Sequence, residues 1–267
     1  MKKLLVLMLT VVMVVASFAG CGNTSDDPAK TDSDLQYVKD KGTLIVGITV
    51  FEPMDYQDEN GNWVGFDADM AAAFAKKLGV DVKFQIIDWD SKAMELDGKT
   101  IDVVWNGMTL TDEVKAKMET SNPYCNNQQV VIVKKDVADQ YQTVDSIKQL
   151  KFVAEAGSAG AKQLDALGIK YVEVLDQATA LTEVKSGTAD AAVIDSLMAA
   201  AMVGENTGFA ELTYTVGLND EEYGVGFRKG SDLAEELNKF FKEAYADGSM
   251  MTCAEKYGVQ AAIIEQK

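Results

Sequence analysis

Residues 101–124 read IDVVWNGMTLTDEVKAKMETSNPY. The run Ile101–Val104 has the length and β-branched content of a core strand, and it breaks at Asn106-Gly107 into a turn carrying Thr109 and Thr111. An amphipathic segment from Val114 to Met118 follows. A buried strand opening into hydrogen-bonding groups and then a helix is the unit of an open α/β sheet. Small molecules bind outside the carboxyl ends of such strands, so residues 106–111 form the first candidate site.

The unit recurs along the chain. Gly42–Ile48 reads as a strand, followed by a loop with Phe51, Pro53 and Tyr56. A helix is expected from near Asp67 to Gly79, with Met70, Phe74 and Leu78 on its apolar face. Asp81–Ile87 alternates as a strand and is closed by Asp88-Trp89-Asp90. Further on, Gln129–Val133, Lys151–Ala154, Lys170–Leu175, Thr188–Ile194 and Tyr223–Phe227 read as strands. Helices are expected after Gly157, before Gly187, over 231–247 and around 251–257. Strands alternating with helices predict an α/β fold with mainly parallel sheets. The segment Ser186–Ile194 echoes Asp97–Trp105, a glycine-marked helix end, an aspartate and a buried strand, which suggests two halves built alike.

Several residues carry two readings. The turn Gly157-Ser158-Ala159-Gly160 offers free N–H groups to an anion, or is only a tight strand-to-helix turn. Asp195, at a strand end, is placed to cap a helix over 196–203. Trp105 belongs to the core or to a pocket.

At 267 residues, 47% apolar and 25% charged, the chain suffices for two modest domains. Its first twenty residues differ in kind: Lys2-Lys3, an uncharged apolar run and a small-residue end form an export signal rather than a retained spanning helix. Removing these two lysines from 25 basic residues leaves 23 against 42 acidic ones, a net charge of −19. That charge repels nucleic acid and argues against it as a partner. The absence of histidine excludes His-based triads and His metal sites, and no cysteine spacing suggests zinc, so no metal or cofactor is expected. Cys125 and Cys253 form a disulfide or stand as separate thiols.

Two resemblances add to this. Phe18-Ala19-Gly20-Cys21 resembles the lipobox of bacterial lipoproteins, which implies that Cys21 is acylated and that residues 21–41 hold a flexible tether, with the protein exported to the outer face of the cell membrane. From Gly42 to Gly258 an ordered set of landmarks runs through Gly65-Phe66-Asp67, Asp88-Trp89, Gly107-Met-Thr-Leu-Thr, Ser121 to Tyr124, Gly157-Ser158, Ala189-Asp190 to Asp195, and Tyr223-Gly to Lys229-Gly-Ser. That set resembles the polar-amino-acid solute-binding proteins of bacterial ATP-driven importers. The resemblance implies a two-lobed, periplasmic-binding-protein-like (type II) clamshell with two hinge strands, lobe one over 42–127 plus 221–267 and lobe two over 128–220. It implies a monomer that captures an amino acid or related amine and delivers it to an ABC permease, and no enzyme.

By the same resemblance, Phe51 and Trp89 are aromatic walls, the Gly107 carbonyl and Asp195 accept an ammonium, and Thr109 with the Ser158 and Ala159 amides donates to a carboxylate. Val114 stands where the family pattern carries a carboxylate-forking arginine, and Glu155 where some relatives carry lysine. Asn106 and Gln128 are the expected replacement donors, unless the ligand is not an ordinary α-amino acid. The alternatives are an enzyme on the same fold, a dehydratase or wall-cleaving glycosidase using Glu155, Glu52 or Asp195 as its acid, or a ligand sensor for a separate receptor.

Overall fold

Two mixed sheets organise residues 33–267, the part of the chain that the computed structural model describes. The expected export signal over 1–20 and Cys21 lie outside the described residues. The first sheet runs in the order Asp81–Ile86, Thr43–Ile48, Val103–Thr109, Glu221–Phe227, Glu119–Thr120, with Cys125–Asn127 also paired to Glu221–Phe227. The second runs Tyr171–Val174, Phe152–Glu155, Ala191–Asp195, Gln129–Lys134, Leu212–Gly217. In each, the first three strands are parallel and lie in the same order, second, first, third. The echo between Asp97–Trp105 and Ser186–Ile194 therefore marks the helix-to-third-strand step of each half.

The sheets are not mainly parallel as expected. The chain passes between them in extended segments, and a strand that arrives without a helical crossover pairs antiparallel: Glu221–Phe227 beside Val103–Thr109, and Gln129–Lys134 beside Ala191–Asp195. The two passages run side by side. Glu221 pairs with Asn127, Gly217 with Val130, and Leu218 N donates to Gln129 O at 2.9 Å. Leu212–Gly217, a strand the sequence pattern did not announce, belongs to the second passage.

The strand Val103–Thr109 continues through Asn106-Gly107, where a turn was expected. Its ladder with Glu221–Phe227 carries it on, and the register shifts there as in a β-bulge, with Gly107 at φ +55°. A β-carbon at Gly107 would lie 2.4 Å from Phe51 Cε1, so only glycine lets the strand approach that ring.

The last part of the tether expected over 21–41 is ordered structure. Asp34–Lys41 is a helix, capped by the Ser33 side chain on Gln36 N. Arg228, buried, holds it: its Nε donates to both Asp34 oxygens at 2.9–3.0 Å, and its Nη1 reaches the Ile101 carbonyl at 2.9 Å. Asp102 accepts from Lys41 Nζ and from Ile45 N at 2.8 Å. Composition suggested an open tether because those charges look solvated until their long-range partners are known.

Helix Phe66–Leu78 lays Phe66, Met70, Phe74 and Leu78 on the first sheet and stops at Gly79, which is left-handed at φ 76°. Trp105 packs edge-on against Phe74 and Phe241 and is fully buried, which settles it as core. Cys125 and Cys253 are separate thiols, and burial raises both above the ordinary thiol range.

Candidate functional site

The strand ends of both sheets line one cavity, which with its open mouth encloses about 450 Å³. The nine residues singled out above, Phe51, Trp89, Asn106, Gly107, Thr109, Val114, Ser158, Ala159 and Asp195, all border it. Each lies in the last residues of a strand, in the loop beyond it or in the first turn of the helix that follows, which is where parallel α/β topology places ligand-facing groups.

Asp195 ends the third strand of the second sheet and is buried. Its side chain makes no cap bond to the helix Ser196–Met202, which removes the N-cap reading. Its Oδ1 instead accepts from Asn127 Nδ2, from Gln129 Nε2 at 2.9 Å and from Tyr223 OH at 2.6 Å, and its Oδ2 accepts from Gln177 Nε2. Burial, with the Glu221 charge behind it, lifts its carboxyl to about 7, against the pull of these donors.

Glu155, at the end of the strand beside it, also lines the cavity and is buried. Its Oε2 receives only a long bond from Gln177 Nε2, 3.5 Å, and its Oε1 has no partner among the described residues. Burial and the neighbouring Asp195 push it up to about 8.

Several expected donors are already engaged. The Asn106 amide braces two strand ends, donating to Thr49 O and Asp55 Oδ2 and accepting from Thr49 N and Oγ1. Gln128 lies outside the cavity lining, its amide 3.4 Å from Asp220. The Thr109 hydroxyl donates to Glu221 at 3.0 Å, and Ser158 N to the Glu155 carbonyl at 3.1 Å. Ser158 Oγ caps Ala161 N at 3.0 Å, so Ala159 N, at the first helical position, keeps no intrahelical partner. Gly107 N donates to the buried Asp67 at 2.7 Å, which fixes the bulge from behind.

Val114 borders both this cavity and a neighbouring cleft lined by Asp90, Lys92 and Lys117. Beside it stand two cations that sequence reasoning missed. Lys92 Nζ lies 4.7 Å over the Trp89 ring and donates to Trp89 O at 2.9 Å and Gly157 O at 3.4 Å; burial lowers it to about 8. Lys162 pairs with Glu113, joining the helices Ala159–Ala166 and Asp112–Lys117. Gly157, at φ +67°, approaches so closely that a β-carbon there would stand 2.8 Å from Asp90 Cα.

Gln177 and Lys92 gave no sequence signal, since a glutamine and a lysine at a helix start read as solvated. Glu155 was legible: it follows three buried strand residues, the same strand-end rule that selected Asn106 to Thr109.

Comparison with known proteins agrees with this geometry. Bacterial extracellular solute-binding proteins, family 3, match residues 44–260. The L-cystine-binding protein TcyJ of Escherichia coli is 31% identical over 250 residues, 92% of each chain. An ancestral arginine-binding protein bound to arginine superposes with a TM-score of 0.75 at 37% identity, covering 81% of this chain and 98% of that one. The ancestral amino acid-binding protein AncCDT-1, a precursor of cyclohexadienyl dehydratase, gives 0.77 at 33%, covering 84% and 99%. The fold is the two-lobed periplasmic-binding-protein type, and with four-fifths of the sequence matched, the chain belongs to the bacterial extracellular solute-binding proteins, family 3.

Proposed function

We propose that the protein is the exported solute-binding component of an ATP-driven importer, capturing an amino acid or closely related amine and delivering it to a membrane permease. The observation that carries this is a cavity between the strand ends of two sheets, bordered by aromatic rings and by two buried carboxylates, Asp195 and Glu155. Such a cavity suits a small ammonium compound with some apolar surface. The relatives' ligands, cystine and arginine, fall in that class.

In this reading Asp195 and the Gly107 carbonyl receive the ligand ammonium. The Ala159 N–H and the Lys92 ammonium receive a carboxylate, Lys92 taking over from the arginine that Val114 replaces. Phe51 and Trp89 flank the ligand's apolar part. Residues 42–127 with 221–267 and residues 128–220 act as lobes that open about the paired passages at 127–129 and 217–221. Cys21 carries the lipid that keeps the protein near its permease.

The test is calorimetry of the protein, unfolded and refolded to strip retained ligand, against the common amino acids and simple amines. Saturable binding to a member of these panels is expected; no heat from either panel contradicts the reading. An enzyme on the same fold draws on one observation, the raised Glu155 carboxyl, which suits a general acid. Ligand recovered chemically unchanged after prolonged incubation separates binding from turnover.

A further inference from the structure

We infer that Glu155 is a second cation acceptor of the cavity and sets its specificity, so that the ligand is an alkylammonium compound of net positive charge, a basic amino acid or a small diamine. This rests on the binding function proposed above and goes further by naming the ligand's charge class.

The two buried carboxylates differ in spare hydrogen-bonding capacity. Asp195 already accepts four side-chain bonds, three of them on Oδ1. Glu155, 3% exposed, has one oxygen with no partner among the described residues and one with a single 3.5 Å contact. A buried carboxylate is stable as an anion only when cations or strong donors surround it.

The cavity's own cations do not do this. Lys162 is committed to Glu113. Lys92 spends two bonds on the carbonyls of Trp89 and Gly157 and lies over an indole ring. Position 114, where an arginine would supply fixed positive charge, is valine. The unmatched charges are thus Glu155 and Asp195, with Glu221 behind them, against Lys92. A zwitterion leaves that excess of negative charge uncompensated, whereas a ligand with a further ammonium reduces it.

Without ligand, protons hold the balance. The groups acting on Glu155 are Asp195 and Asp176, which raise its proton affinity together with burial, and Gln177 and Lys92, which lower it. An arriving cation replaces the proton, so binding releases protons near neutral pH and tightens as pH rises through about 8.

Calorimetry of the stripped protein against L-arginine, L-ornithine and putrescine, and against L-glutamine, L-alanine and L-cystine, in two buffers of different ionisation heat, tests this. The basic panel is expected to bind at least roughly tenfold tighter, with proton release. Arginine and ornithine binding without putrescine assigns a basic amino acid, and the reverse a diamine. Glu155→Gln is expected to weaken the preferred ligand by about ten- to a hundredfold and to reduce the proton release, while the stripped variant unfolds at or above the wild-type temperature. If that variant does not fold, the wild-type selectivity and proton count decide. Tighter binding of the neutral panel, no proton release, or a folded Glu155→Gln variant within about twofold of wild type overturns the inference while leaving the binding function intact. Silence across both panels overturns both.

Discussion

Asp195 and Glu221 share two hydrogen-bond donors: Asn127 Nδ2 reaches both carboxylates, and Gln129 Nε2 reaches Asp195 at 2.9 Å and Glu221 at 2.8 Å. Asn127 and Gln129 lie on one passage between the sheets, Glu221 on the other, and Asp195 on the cavity wall. The cavity acid is therefore wired to the segments about which the halves are proposed to move.

Neutralising Glu221 removes a negative charge that raises Asp195. Glu221→Gln is expected to lower the Asp195 titration midpoint from about 7 toward the ordinary carboxylate range, read by carbon NMR of the Asp195 carboxyl. An unmoved midpoint would show that burial alone sets it.

Stability should fall with rising pH in the ligand-free protein. Asp67 and Asp195 titrate at about 7 and Glu155 at about 8, all above their unfolded values. The folded state therefore binds more protons; its advantage is complete below about pH 4 for these groups and is lost as pH rises through 7 and 8. Tm is expected to drop between about pH 5 and 8, on the order of 2–4 °C per kcal/mol, and to drop less in Glu155→Gln. A flat profile contradicts the assignment.

These carboxylates show how far the sequence carried the reading. Helix stops at Gly79 and Gly187, the strand end at Asp195 and the two alike halves follow from local pattern, whereas the strand expected to break at Asn106-Gly107 runs on to Thr109 along a long-range ladder. The donors on Asp195 come from Asn127, Gln129, Gln177 and Tyr223, up to 68 residues away, and no local pattern encodes them. Lys92 is buried with its ammonium over the Trp89 ring and against the Gly157 carbonyl, 65 residues away in the chain.

Asp195→Ala removes the acceptor of the Tyr223 hydroxyl and leaves the Asn127 and Gln129 amides only Glu221 and the Gln177 amide only its long contact with Glu155. A loss of roughly 3–5 kcal/mol in denaturant stability is expected, together with loss of detectable binding. Wild-type affinity in the variant removes Asp195 from the site.

Val114→Arg places a cation beside Lys92 and Lys162 at the junction of the two cavities. Affinity for neutral and acidic amino acids should rise and that for basic ligands fall, each by about tenfold or more. Unchanged selectivity would show that Val114 does not set the ligand's charge.

Gly157→Ala meets Asp90 Oδ1 at 2.5 Å across the cavity rim and adds the strain of a left-handed alanine, about 1–2 kcal/mol. Closing should be impeded, so ligand dissociation speeds up in stopped-flow measurements. An off-rate equal to wild type would show that this approach is unimportant to the bound state.

The central claim is that the cavity between the sheets captures a small ammonium solute. Calorimetric titration of the stripped protein with individual amino acids and amines tests it most directly. One-to-one binding, lost in Asp195→Ala and weakened in Glu155→Gln, is the result predicted; a stripped, folded protein that binds none of these compounds would contradict it.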